Sequence, residues 1–331
     1  MFSWPTRNNK QKLSGIVQHS DGLAFATIKQ QSSQKPLLKS CLFQPQISDY
    51  KTTLNQLVQK TSNRKIPLTT LLDAKNFTLL LMQRPTVEEE ELNDAIRWQI
   101  KDQLDFPADE AVIQTLDIPG QEERGRLPMI YAIAAHEAAI KSSIALLEEN
   151  KLNLQYIDIP ELAQRNISAL LPEDNIGVAM LNLQANYSLL TITHEGELYL
   201  SRVIDVGYED LETIPSPQAG PNGLSLAEPS SDQDNSISKI VLEIQRSLDY
   251  YESHYGKPSI SNLILAPLEN ELSSLMSALK DDLGVTVRSL DITEILETDT
   301  ELTTELQAKC FNAIGAALRQ AVESLADRNP E

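Results

Sequence analysis

Two turns in this chain have the form of phosphate-holding elements without their chemistry. Residues 14–29 and 178–202 each read as two alternating strands joined by a short polar turn. Such a turn grips a phosphate when glycine lets backbone N–H groups close on its oxygens, and a magnesium ion beside it needs carboxylate oxygens. The first unit runs Gly15-Ile-Val-Gln-His-Ser20 and the second carries Asn182-Leu-Gln184. Neither stretch places a glycine and a carboxylate where a phosphate-binding turn has them, so the chain reads as a duplicated sheet scaffold whose obvious chemistry has been left out.

Other catalytic patterns are weaker still. His19, His136, His194 and His254 form no close metal-ligand motif, and no Gly-x-Ser-x-Gly, His-Glu-x-x-His or Cys-x-x-Cys accompanies them. They read as surface or packing residues, and no metal site or catalytic residue is expected. Glu88, Glu89, Glu90 and Glu91 specify no acid–base pair and read as the solvated start of a helix. Cys41 and Cys310 are far apart, and two cysteines in a chain of 331 residues do not build a disulfide scaffold.

The length permits two domains, each with its own core. The formal net charge of -19 is uneven: residues 1–65 hold ten Lys or Arg against Asp21 and Asp49, and acidic residues dominate afterwards. That balance argues against a nucleic-acid surface. No run of apolar residues reaches the roughly 18–20 needed to span a bilayer. The first twelve residues lack the apolar core of a secretory signal, although Phe2 and Trp4 beside Arg7, Lys10 and Lys12 could touch a membrane surface weakly.

The elements that would position these residues alternate between strand and helix. The patterns predict a helix over 54–60, a strand over 77–82, a helix from a Thr86-Val-Glu-Glu89 capping box, a central strand over 129–135, a helix over 137–150 and a strand over 154–159. In the capping-box helix Leu92, Ile96, Ile100 and Leu104 share one face, and Pro107 ends it. The Pro- and Gly-rich stretch 214–235 reads as a flexible loop. Beyond it come a long helix through Ile237, Val241, Ile244, Leu248 and Tyr251 or Tyr255, a strand over 262–265, a helix over 268–280, a strand over 285–289 and a final helix through Cys310 and Ile314. Gly315 inside that helix is expected to serve close packing.

Three segments carry a family resemblance. Ala95-Ile-Arg-Trp-Gln-Ile-Lys-Asp-Gln-Leu-Asp-Phe-Pro107, Glu243-Ile-Gln-Arg-Ser-Leu-Asp-Tyr-Tyr251 and Ala313-Ile-Gly-Ala-Ala-Leu-Arg319 resemble, in that order, signatures of the PilM family of type IV pilus assembly proteins. The resemblance implies an α/β, actin-like (FtsA/PilM-type) fold. Two lobes would face each other across a nucleotide cleft: residues 1–170, with a small inserted subdomain at about 66–160, and residues 171–331. It also implies a cytoplasmic protein, peripheral at the inner membrane of a Gram-negative bacterium, that grips the cytoplasmic tail of a PilN-like inner-membrane protein between the first lobe and the insertion. Other assembly-platform proteins would be neighbours and membrane association would be indirect.

The family's nucleotide motifs are degenerate here. Where the family has Gly-Ile-Asp-Ile-Gly-Ser, the chain has Gly15 to Ser20, with Val17 at the carboxylate and His19 at the turn glycine. In the second hairpin Asn182 replaces a carboxylate and Gln184 a glycine, and the strand end near the adenosine reads Leu263-Ile-Leu-Ala-Pro-Leu268, with Ala266 in place of glycine. Gly15, Val17, His19, Ser20, Asn182, Gln184 and Ala266 therefore mark a cleft in which no cofactor is expected, ATP and magnesium being the alternative. A weak actin-like ATPase is the competing function. For the partner tail, the resemblance points to Arg97, Trp98, Lys101 and Phe106; Trp98 falls off the buried stripe and is free to offer an aromatic ring. Arg246 and Asp249 read as an internal charge network.

Overall fold

The computed structural model describes residues 12–31, 35–46, 49–61, 64–121, 128–211 and 231–319. The first hairpin forms as expected: β1 (Lys12–His19) and β2 (Gly22–Lys29) pair antiparallel along their whole length. A further strand, β3 (Leu37–Pro45), continues the meander, and α1 (Tyr50–Lys60) starts where the Asp49 carboxylate accepts the Thr52 N–H at 2.9 Å. β4 (Pro67–Leu71) then pairs parallel with β1. The chain next makes β5 (Phe77–Gln83), α2 (Leu92–Ile100), β6 (Ala111–Asp117) and β7 (Met129–His136), and returns through α3 (Glu137–Glu149) to β8 (Asn153–Asp158), parallel to β4.

After α4 (Pro160–Ser168) the pattern repeats. β9 (Val178–Leu183), β10 (Ser188–His194) and β11 (Glu197–Ile204) form a meander, α5 (Ser231–Tyr255) follows, and β12 (Asn262–Leu265), α6 (Ser273–Asp282) and β13 (Thr286–Ser289) complete a second sheet. The chain ends, among the described residues, with β14 (Glu297–Thr298) and α7 (Thr304–Ala317), whose last turn runs on to Leu318 and Arg319. Strand orders are β14-β3-β2-β1-β4-β8 and β11-β10-β9-β12-β13. Apart from β14, each sheet has its third, second, first, fourth and fifth strands in the same sequence, which is the duplication the two hairpins announce.

The two sheets face each other across α4 and α7. Helix α7 packs on β1, β2 and β3, helix α4 packs on β9, β10 and β11, and the two helices pack on one another. Residues Cys310 to Leu318 are buried without a break, as a helix covered on all sides must be. Glycines permit the contact: a Cβ on Gly15 would lie 2.0 Å from the Ala313 carbonyl oxygen, and one on Gly315 would lie 2.3 Å from that of Ala163. The close-packing role expected for Gly315 is thus met. Helices α1 and α3 cover the outer face of the first sheet, and α5 and α6 that of the second.

The boundaries differ from those read in the sequence. The insertion expected at about 66–160 is narrower, because β4 and β8 are neighbours in the first sheet and only β5, β6 and β7 form the separate three-stranded sheet, with β7 in the middle. The second lobe does not hold all of 171–331, because β14 pairs with β3 and α7 packs on the first sheet. Residues 231–235 of the expected loop are the first turn of α5; the remainder of that loop and the first eleven residues lie outside the described residues. Helix α6 begins at Ser273 rather than 268. The Thr86–Glu89 capping box is not formed: α2 is preceded by a 3₁₀ turn over Glu89–Glu91 capped at Glu88 without a side-chain bond, and the Glu89 carboxylate is taken by Arg84.

The inserted sheet has two apolar faces. Leu92, Ile96 and Ile100 of α2 cover one, against Ile113, Ile130 and Ala132. The other, through Tyr131, Leu79, Leu81, Leu116 and Met129, joins the core of the second lobe. The Tyr131 hydroxyl accepts the Ser201 N–H at 2.9 Å and donates to the Tyr199 carbonyl at 3.4 Å. Both belong to β11, an edge strand, two of whose outward backbone groups are thereby satisfied.

Candidate functional site

Between the lobes lies a cleft of about 780 Å³. It is walled by the end of β1 and the turn after it, by the segment from Thr70 to Asn76 with α3 behind it, by the turn between β9 and β10 and by the segment after β12, and Lys309 and Asn312 of α7 enter from the base. Val17, His19, Ser20, Asn182 and Gln184 therefore line one cleft. Gly15 and Ala266 do not line it. Gly15 is buried beneath α7, and Ala266 is a core residue whose N–H donates to the Leu181 carbonyl at 2.8 Å, leaving Pro267 and Leu268 at the surface of the cleft.

The groups that replace the nucleotide motifs are occupied with one another. Val17 is buried in the apolar cluster that includes Ala313 and Ala317. The Asn182 carboxamide accepts from Gln184 Nε2 at 2.9 Å and donates to Asn312 Oδ1 at 3.4 Å, a chain of amides joining β9 to α7. The β9–β10 turn is closed by the Gln184 N–H to the Tyr187 carbonyl at 2.8 Å. It is backed from outside, where the Tyr208 and Glu209 N–H groups donate to the Gln184 and Ala185 carbonyls. A Cβ on Gly207 would lie 2.0 Å from the Ala185 oxygen, so this backing segment lies against the turn at backbone distance.

The one ammonium in the cleft is already matched by carboxylates. Among the described residues, the ionic side chains on its walls are Asp21, Asp73, Glu269 and Lys309, three carboxylates and one ammonium. Lys309 Nζ is 2.6 Å from both Asp21 Oδ2 and Glu269 Oε1, and 5.2 Å from the Phe43 ring centre. Burial works to lower the Lys309 pKa, but its hydrogen bonds to the two carboxylates outweigh this and hold the ammonium above its ordinary value. His19 meets Phe43 edge-on, its Nε2 is buried with no partner, and burial lowers its pKa despite the attraction of Asp21. No group of three or more His, Cys, Asp or Glu among the described residues is placed to hold a metal ion. Asp21, Glu269, Lys309 and Asn312 escaped the sequence reading because they come from three distant segments and form no local pattern.

The expected partner contacts separate. Trp98 is 72% exposed on α2, with Lys101 Nζ 5.0 Å from its ring centre, and Arg97 is ion-paired with Asp94 on the same helix. Phe106 instead turns inward, packing on the insertion's core and against the His136 ring at 4.9 Å. Elsewhere, Arg202 and Arg246 both bind the Glu243 carboxylate, a charge network between β11 and α5. His194 is buried and hydrogen-bonds the Tyr251 hydroxyl, a packing role, whereas His254 stacks on Tyr250 at the surface. No described helix is long and apolar enough to cross a membrane.

This arrangement, two like sheets around two central helices with a cleft between them and a small inserted sheet, is an actin-like fold of the FtsA/PilM type. The solved structure of a PilM–PilN type IV pilus biogenesis complex matches 95% of this chain and 99% of its own, with a TM-score of 0.70 at 20% identity. The cytoplasmic domain of EpsL, an inner-membrane component of the type II secretion system of Vibrio cholerae, covers 97% of each chain at 8% identity and a TM-score of 0.48. A Bacteroides thetaiotaomicron protein with an actin-like ATPase fold covers 91% of this chain and 95% of its own at 11% identity and a TM-score of 0.47. No family model and no curated protein matches the sequence.

Proposed function

We propose that this chain is a non-enzymatic adaptor of a type IV pilus assembly platform that holds the cytoplasmic tail of a PilN-like inner-membrane protein. The whole-length likeness to PilM in a PilM–PilN complex carries this reading. The finer assignment, a counterpart of MshI serving a mannose-sensitive haemagglutinin pilus, rests on the three sequence segments. The protein would then work in the cytoplasm of a Gram-negative bacterium, peripheral at the inner membrane through its partner. Arg97, Trp98 and Lys101 are the proposed contacts on the insertion; an extended tail gains affinity from main-chain bonds and specificity from a few side-chain anchors, and needs no catalysis.

The amide chain at Asn182 and the carboxylates around Lys309 support a cleft that neither binds nor turns over ATP. Titration of the full chain with synthetic cytoplasmic tails of neighbouring membrane proteins tests the adaptor reading, with binding at micromolar concentration expected for one tail; no binding by any tail overturns it. Calorimetry with ATP and magnesium tests the second point. Tight binding with phosphate release would establish the actin-like ATPase instead.

A further inference from the structure

We propose that Asp21, Lys309 and Glu269 form an ionic latch between the lobes, standing in the cleft where an actin-like relative would use its nucleotide as the tie. Asp21 sits at the tip of the β1–β2 turn in the first lobe, Glu269 follows β12 in the second, and Lys309 projects from α7 between them. Both arms are 2.6 Å long. The lysine side chain is only 17% exposed and its ammonium lies over the Phe43 ring, so the cation is held in one place and its charge is matched within the cleft.

The position makes the latch act on cleft opening rather than on the stability of either lobe. The lobes already share a core deep at α7, where Val17, Met180, Ile264 and Ile314 belong to one cluster. Their mouths are joined, on the Lys309 side, by the arm to Glu269. Opening must stretch that arm into water, where its two charges are separated at a cost set by ionic strength. An incoming phosphate would have to displace two carboxylates from Lys309 and then sit beside them. The latch and the nucleotide are therefore alternatives for the same space, and this inference rests on the cleft's being free of nucleotide work, independently of any partner tail.

Hydrogen exchange followed by mass spectrometry on the full chain tests it, with Lys309→Met and Glu269→Gln as variants. Glu269→Gln removes only the arm to the second lobe at a half-exposed position, so folding is not at stake. In both variants, amides of residues 18–23, 182–187 and 266–272 should exchange roughly two- to fivefold faster, the factor a partly exposed ion pair commands. About 0.5 M sodium chloride should reproduce the effect in the unaltered protein and add nothing in Glu269→Gln. Unchanged exchange in Glu269→Gln, together with no response to salt, overturns the latch and leaves the nucleotide-free reading standing. Protection of the same amides of the unaltered protein by magnesium ATP overturns both.

Discussion

Gly315 and Ala163 mark the point of closest approach between the two central helices: a Cβ on the glycine would lie 2.3 Å from the alanine's carbonyl oxygen. Asn166 Nδ2 donates to the Gly315 carbonyl at 3.0 Å and fixes the same crossing. Alanine is the better helix former by about 1 kcal/mol, but the obstructing atom is backbone and α4 must move to relieve it. Gly315→Ala should destabilise the protein by about 1–3 kcal/mol, the usual cost of overpacking. A urea midpoint equal to or above that of the parent would refute the contact.

Glu161, at the start of α4, is 4% exposed, and its Oε2 has no partner. Burial first, and then the charge of Asp158, push its carboxyl up to about 7. Because the folded value lies above the unfolded one, the native state holds the proton longer. Stability falls as pH rises through the interval between the unfolded value of 4.5 and about 7. Glu161→Gln should therefore match the parent near pH 4.5 and exceed it by up to about 3 kcal/mol above neutrality. Superimposable stability–pH curves for the two proteins would contradict this.

Removing the Tyr131 hydroxyl leaves two groups of β11 unsatisfied while the ring still fills its site between the insertion and the second lobe. Tyr131→Phe is expected to cost about 1 kcal/mol and to speed exchange at the Ser201 amide. If that amide were as protected as before, the hydroxyl would not be its partner.

Trp98 differs from the buried aromatics in that most of its surface is free. Trp98→Ala should change the unfolding free energy by less than about 0.5 kcal/mol yet weaken tail binding by about 2 kcal/mol, the loss typical of an aromatic anchor. Calorimetric titration of parent and variant with the same tail decides the matter; equal affinities would remove Trp98 from the interface.

Legibility followed the range of the interactions. β1, β2 and β12 could be read because alternation and apolar runs are local signals, and the Leu92–Ile96–Ile100 stripe became the buried face of α2 for the same reason. Helix α4 was missed. Its buried face carries Gln164 and Asn166, polar residues whose partners are the Met180 carbonyl and the Gly315 carbonyl, both supplied by other elements. The pairing of β4 with β8 was hidden by the insertion between them, and β3 by its mixed Lys, Ser and Gln content. In the cleft, substitutions at Val17, Asn182 and Gln184 were visible as departures from a motif, whereas the ions that fill the space had no motif to depart from.

The return of β14 and α7 to the first sheet bears on how the chain is made. Residues 12–29 leave the ribosome early, yet the inner face they present, with Gly15 and Val17 at its centre, is covered by a helix from residues 304–317. The first sheet cannot close that face until residues 304–317 have been made and have docked on it. A fragment cut between the lobes would leave that apolar surface in water, so the two halves, though alike in strand order, are not separable pieces. Their kinship records a repeated pattern, while α7, packed on the first sheet and on α4, ties them into one core.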